Sequence, residues 1–186
     1  MSIMKKALLV IDVQNEYFTG KLPVTYPENS FQNILKAIDS ANKMEIPVIL
    51  VQHSNLDKEA ATFKIGTDEH DIHEEVLKRD FDKIIEKNLP GSFTGTKLKS
   101  FLDVNNIDTV VICGYMTQMC CDTTARQAMH LGFNVEFLSD ATGTLDISNS
   151  AGEISAQNLH KAILITQTMR FSEVMKTDEW IGKIEP

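Results

Sequence analysis

The sequence predicts a three-layer α/β fold: a doubly wound, Rossmann-like sandwich around a six-stranded, mostly parallel sheet of order 3-2-1-4-5-6. Three observations predict it. Residues 7–11, 48–51 and 107–113 are apolar runs with little or no polar alternation, the pattern of strands buried on both faces. Six strand candidates mostly alternate with helical segments, the mark of βαβ units. The chain has 186 residues, 42% hydrophobic and 24% charged, which suits one domain (1–186) with a sizeable core. The strand order is that of the commonest precedent.

The elements follow in order. Residues 7–11 form the first strand and stop at Asp12. A turn-rich loop runs to Pro23. Asn29 and Ser30 can cap a helix to about Met44, with Phe31, Ile34, Leu35, Ile38 and Ala41 on one face. Residues 48–51 are the second strand, ending at Gln52 and His53. Residues 55–80 are polar and irregular, and a loop that long in a compact domain is usually functional. A weaker strand over 82–86 ends at Lys87. Thr96 can cap a helix that turns Leu98, Phe101 and Leu102 inward. The strand over 107–113 leads through a tight loop to a helix over 120–131, with Gly132 fitting its C′ position. Residues 135–138 are the next strand and 139–144 a turn-rich loop. Residues 150–160 read as a helix, 162–166 as a last strand, and 171–175 and 178–181 as short helical pieces.

The formal net charge of −8 argues against nucleic acid or an anionic membrane as partner, since both want a basic face. Three cysteines, two of them adjacent, make no disulfide framework. Reduced thiols in the cytoplasm are the expectation. No apolar run approaches the ~20 residues of a membrane helix, and the N-terminus lacks a signal-peptide core.

Chemistry gathers at the carboxyl ends of the strands. Asp12 follows the first, His53 the second, Lys87 the third, and Cys120 stands just beyond the fourth. In a parallel sheet these ends share one edge, and strands one and four meet at the switch point. A thiol at a helix start feels the macrodipole, which would lower its pKa. A carboxylate beside it can take the thiol proton and pass it to a leaving group. A nearby ammonium would hold both in place. Cys113 reads as core. Cys121 falls on the stripe Cys121, Ala125, Ala128 and reads as the packing member of the pair. His53 reads either as a satisfied core histidine or as a substrate contact.

Three motifs in this order resemble a known family. They are Asp12-Val13-Gln14-Asn15-Glu16-Tyr17-Phe18, then Lys87-Asn88-Leu89-Pro90-Gly91-Ser92-Phe93-Thr94-Gly95-Thr96, then Gly114-Tyr115-Met116-Thr117-Gln118-Met119-Cys120 with Thr124-Ala125-Arg126-Gln127-Ala128. Together they look like the isochorismatase-like cysteine hydrolases, which include nicotinamidases, N-carbamoylsarcosine amidases and isochorismatases. Residues 139–144 look like the family's Ser/Asp-Ala-Thr segment. The resemblance implies Asp12, Lys87 and Cys120 as the catalytic set and a cis peptide between Met116 and Thr117. It also implies an oxyanion hole from the backbone N–H groups of Thr117 and Cys120. Gln14, Phe18, His53, Phe93 and Tyr115 are the expected pocket residues. Nicotinamidases carry a metal site with Asp-x-His after the second strand. Here that region reads Gln52-His53-Ser54-Asn55, so no metal and no cofactor are expected. The resulting expectation is hydrolysis of a C–N bond in a small amide or ureide through a thioester. The alternatives are cleavage of the isochorismate vinyl ether and, from another class, a non-catalytic binding protein. Family precedent suggests a homodimer or larger assembly.

Overall fold

A computed structural model describes residues 5–185. The first strand, β1 (Lys6–Ile11), is followed after a loop by the helix α1 (Ser30–Lys43). Then come β2 (Val48–His53), the short helix α2 (Glu74–Leu77), β3 (Lys83–Lys87) and α3 (Leu98–Val104). The second half runs β4 (Thr109–Tyr115), α4 (Asp122–His130) and β5 (Asn134–Gly143). After it come a hairpin of β6 (Ile147–Asn149) and β7 (Gly152–Ile154), α5 (Ala156–Thr166), β8 (Glu173–Met175) and α6 (Thr177–Ile184). The six-stranded sheet has the order β3-β2-β1-β4-β5-β8, and every pairing in it is parallel. This is the expected doubly wound α/β topology.

Alternation along β1 builds the two cores. Leu8 and Val10 face one layer, where Ile34 and Ile38 of α1 and Trp180 of α6 pack on them. Ala7, Leu9 and Ile11 face the other, under Leu98 and Leu102 of α3 and Ala125 and Ala128 of α4. Both faces of the strand are therefore apolar, which is why it reads as a continuous hydrophobic run.

Four expectations are corrected. Residues 162–166 are not the last strand; they are the second half of α5. A short apolar run does not distinguish strand from helix by periodicity, and here the Ser155 hydroxyl caps the helix by accepting the Asn158 N–H at 3.4 Å. The sixth strand is β8, inside a stretch read as helical, and Glu173, Val174 and Met175 pair with Glu136, Phe137 and Leu138. Residues 147–154, partly read as helix, are a hairpin, closed where the Asn149 side chain accepts the Ala151 N–H at 2.8 Å. Residues 139–143 continue β5 rather than forming a loop.

The irregular stretch between β2 and α2 is pinned to the loop after β1. Asn15 Nδ2 donates to the Asp68 carbonyl at 2.8 Å, and the His73 N–H donates to the Val13 carbonyl at 2.9 Å. The buried Glu16 carboxylate accepts the Phe63 N–H at 3.2 Å. Among the described residues no helix is long and apolar enough to cross a membrane.

Candidate active site

Parallel pairing brings the carboxyl ends of β3, β2, β1 and β4 to one edge, and the expected residues meet there. Asp12 follows β1 directly with φ +50°, a left-handed conformation that Asp tolerates better than most residues. Its backbone is fixed by the Asp12 N–H donating to the Val51 carbonyl at 2.9 Å. Gly114 makes this approach possible. It pairs with Ile11 in register, has φ +115°, and a Cβ there would lie 2.0 Å from the Ile11 carbonyl oxygen.

Lys87 ends β3. Its ammonium stands 2.7 Å from Asp12 Oδ2 and 3.3 Å from Cys120 Sγ, with both the lysine and aspartate side chains fully buried. The contact with Asp12 is a close ion pair, yet neither Asp12 oxygen has a partner in hydrogen-bond geometry. A buried carboxylate with open accepting capacity suits a proton acceptor. His53 ends β2, directly opposite Lys87 in register, so the two side chains share a face. Lys87 Nζ lies 3.2 Å from His53 Nδ1.

Cys120 is 6% exposed and Cys121 fully buried against Ala125 and Ala128. The backbone of 117–121 is a π turn, and α4 begins only at Asp122. The cis bond of this connection is Tyr115–Met116, one residue before the expected Met116–Thr117. The Met116 carbonyl then accepts the N–H groups of Met119 at 3.1 Å and Cys121 at 3.2 Å, closing the turn around Cys120.

Electrostatics also differ from expectation. Burial raises the Asp12 carboxyl above its ordinary value, against the pull of Lys87. Burial disfavours the Lys87 ammonium, but Asp12 and Cys120 beside it outweigh that and leave it above the ordinary lysine value. Burial pushes the Cys120 thiol up, Asp12 adds to this, and Lys87 opposes it. The expectation of a thiol lowered by a helix N-terminus therefore does not hold. Cys120 lies in the π turn before α4, and desolvation dominates. A thiol so placed can be activated by passing its proton to Asp12 beside the charge of Lys87.

The expected pocket residues separate. His53 touches Lys87. Phe18 packs against Tyr115, Phe31 and His73, with ring centroids 5.9, 4.8 and 4.5 Å away. Gln14 is a buried clamp: Nε2 donates to the His53 carbonyl at 2.9 Å and Oε1 accepts the His53 N–H at 2.8 Å. Tyr115 is core, with its hydroxyl 3.1 Å from Ser30 Oγ. Phe93 stacks on Phe133 at 5.8 Å and lines a cavity of about 500 Å³ with Lys99, Arg126 and His130, apart from the Asp12–Lys87–Cys120 cluster. Motif proximity placed these last three near the site; Gln14 meets it only through the His53 backbone, and the side chains of Tyr115 and Phe93 pack elsewhere. Sequence reasoning missed the support of Thr117. Its hydroxyl is 2.8 Å from Nδ1 of the buried His160, whose Nε2 is 2.9 Å from the Ser139 carbonyl. Nothing local marks His160, because its role depends on where α5 docks. Among the described residues no group of three or more His, Cys, Asp or Glu side chains is placed to hold a metal ion.

Comparison with known proteins identifies the family and the fold. The family model of the isochorismatase domain matches residues 6–179. A crystal structure of an isochorismatase-type protein from Burkholderia xenovorans LB400 superposes with a TM-score of 0.95 at 41% identity, covering 99% of this chain and 89% of that one. The isochorismatase family protein YddQ of Bacillus subtilis is 32% identical over 96% of this chain and 99% of its own length. Nicotinamidase 3 of Arabidopsis thaliana is 29% identical over 93% of this chain and 85% of its own.

Proposed function

This chain belongs to the isochorismatase-like hydrolase superfamily, and on that premise we propose that it is a cysteine hydrolase of a small amide or ureide C–N bond. The observation that carries this reading is the Lys87 ammonium held between Asp12 Oδ2 and Cys120 Sγ in a buried site. A nucleophile, a base and an orienting charge in contact make the triad logic in non-histidine form.

The reaction divides into two halves. Cys120 Sγ attacks the carbonyl carbon as its proton passes to the Asp12 carboxylate. The resulting tetrahedral oxyanion is stabilised by the backbone N–H groups of Thr117 and Cys120. Collapse breaks the C–N bond, and protonated Asp12 gives its proton to the leaving nitrogen. A thioester to Cys120 remains. Water attacks it, its proton goes to Asp12, and the thiolate leaves and recovers that proton, releasing the acid. Lys87 keeps its charge throughout and offsets whichever of its two neighbours is anionic.

Cleavage of the isochorismate vinyl ether is the competing reading within the family. A dicarboxylate wants cations to receive it. The ammonium at Cys120 is already paired with Asp12, which favours a neutral carbonyl substrate. Intact-mass detection of a trapped thioester across a panel of carboxamides, ureides and lactams tests the proposal. Cys120→Ala should abolish both adduct and turnover, and Cys121→Ala should keep most of each. The reverse pattern would reassign the nucleophile.

A further inference from the structure

We propose that His53 is a fourth member of this site: its Nδ1 takes a hydrogen of the Lys87 ammonium, and its Nε2–H is thereby fixed as a donor to a second acceptor atom on the substrate. The inference deepens the hydrolase reading above and rests on it.

A lysine ammonium has three hydrogens and no acceptor. Around Lys87 Nζ the structure places three acceptors: Asp12 Oδ2 at 2.7 Å, Cys120 Sγ at 3.3 Å and His53 Nδ1 at 3.2 Å. The contacts with Cys120 Sγ and His53 Nδ1 are hydrogen bonds, and the one with Asp12 is an ion pair outside hydrogen-bond geometry. Because the ammonium only donates, His53 Nδ1 must present its lone pair, and the proton of the neutral ring then sits on Nε2. Burial and the Lys87 charge both hold His53 neutral, moving its pKa down to about 4.

Two further features fix the ring. Gln14 grips the His53 backbone from both sides, through Nε2 to its carbonyl and Oε1 to its N–H. Phe63 meets the ring edge-on, with centroids 5.1 Å apart and planes at 89°. His53 itself is half-buried, and its Nε2 makes no hydrogen bond among the described residues. An oriented donor with no protein partner beside the nucleophile suits recognition of substrate. The preferred substrates are therefore small amides with an acceptor beyond the scissile carbonyl: a ring nitrogen or a second carbonyl oxygen.

Matched pairs test this. Benzamide and the three pyridinecarboxamides differ by one ring nitrogen; 2-pyrrolidone and succinimide differ by one carbonyl oxygen. Calorimetric binding is measured on Cys120→Ala, which removes turnover. The acceptor-bearing member of at least one pair should bind about tenfold tighter, the scale of one net hydrogen bond. Adding His53→Asn should cut that ratio below about twofold, since the Asn oxygen stands in for Nδ1 and nothing replaces Nε2–H. His53→Gln, whose amide nitrogen reaches the Nε2 position, should restore it. Equal binding within every pair, or a preference that survives His53→Asn, overturns the recognition. The contact with Lys87 is read by iodoacetamide alkylation of Cys120 against pH. His53→Leu should slow it about tenfold and His53→Asn should stay within about twofold of the parent; an unchanged rate in His53→Leu overturns this contact. Turnover by the parent enzyme is scored separately. Preferential binding without hydrolysis sinks the hydrolase reading alone, and hydrolysis without preference sinks this inference alone.

Discussion

At the scale of single residues, one buried ammonium organises the chemistry. Lys87 neutralises Asp12, so removing it strands a carboxylate with no hydrogen-bond partner in a dry site. Lys87→Met should lower unfolding free energy by about 3–5 kcal/mol, the usual cost of an uncompensated buried charge. Urea denaturation measures this, and a loss under about 1 kcal/mol would mean that the carboxyl is held neutral without Lys87. Asp12→Asn keeps size and burial but cannot accept the thiol proton. It should lower kcat/KM by about 10²–10⁴-fold, the range for loss of a general base, and should also destabilise the fold, because the buried Lys87 ammonium loses its counter-charge. Steady-state kinetics on any substrate found by the thioester screen checks it. The doubled cysteine is resolved at this scale too. Cys120 faces the ammonium, and Cys121 is turned into the core with Ala125 and Ala128.

At the scale of elements, the site depends on how closely β4 approaches β1. Gly114 is the contact point, with positive φ and no room for a Cβ against the Ile11 carbonyl. Gly114→Ala should destabilise by about 3 kcal/mol, in the range of overpacking a rigid core. It should also impair activity in the fraction that folds, because Ile11 precedes Asp12. Thermal melting together with kcat of the refolded protein checks both effects. A variant that melts normally would show that the strands can part without cost. The π turn after β4 and the extension of β5 to Gly143 belong to the same arrangement. Tyr115 pairs with Gly143, and Thr117 is tied through His160 to the Ser139 carbonyl on β5.

At the scale of the whole molecule, buried and half-buried histidines couple stability to pH. His53, His73 and His160 all have pKa values lowered by burial, His53 to about 4. The unfolded chain titrates its histidines near 6.5 and so binds more protons between those values. Stability from these groups is present above pH ~6.5 and falls as pH drops toward 4. Asp12, whose carboxyl is raised, works in the opposite direction. With three histidines against one carboxyl, the melting temperature should be lower at pH 5 than at pH 7. A melting temperature flat over that range would show that the carboxyl and the histidines cancel.

The sequence by itself determined the parallel α/β class and the gathering of Asp12, Lys87 and Cys120 at one sheet edge, while the strand order rested on precedent and the choice of these three on the family resemblance. The class and the shared edge follow from local signals: apolar runs mark strands buried on two faces, and in a parallel sheet the residue after each strand must reach the same edge. Asp12, Lys87 and Cys120 are legible for that reason, and the three motifs in order identify the family. The tertiary structure decided the rest. The apolar run at 162–166 became helix because it docks as the end of α5, leaving the edge of the sheet to β8. Phe93 and Tyr115 stand beside site motifs in the chain but point into packing, a direction that spacing does not encode. Gln14, His53 and His160 acquire their roles only through partners 34 or more residues away. Burial, a property of the assembled core, set the sign of the Cys120 shift against the helix-terminus argument, because losing water is the largest influence on the sulfur and outweighs the favourable charge of Lys87.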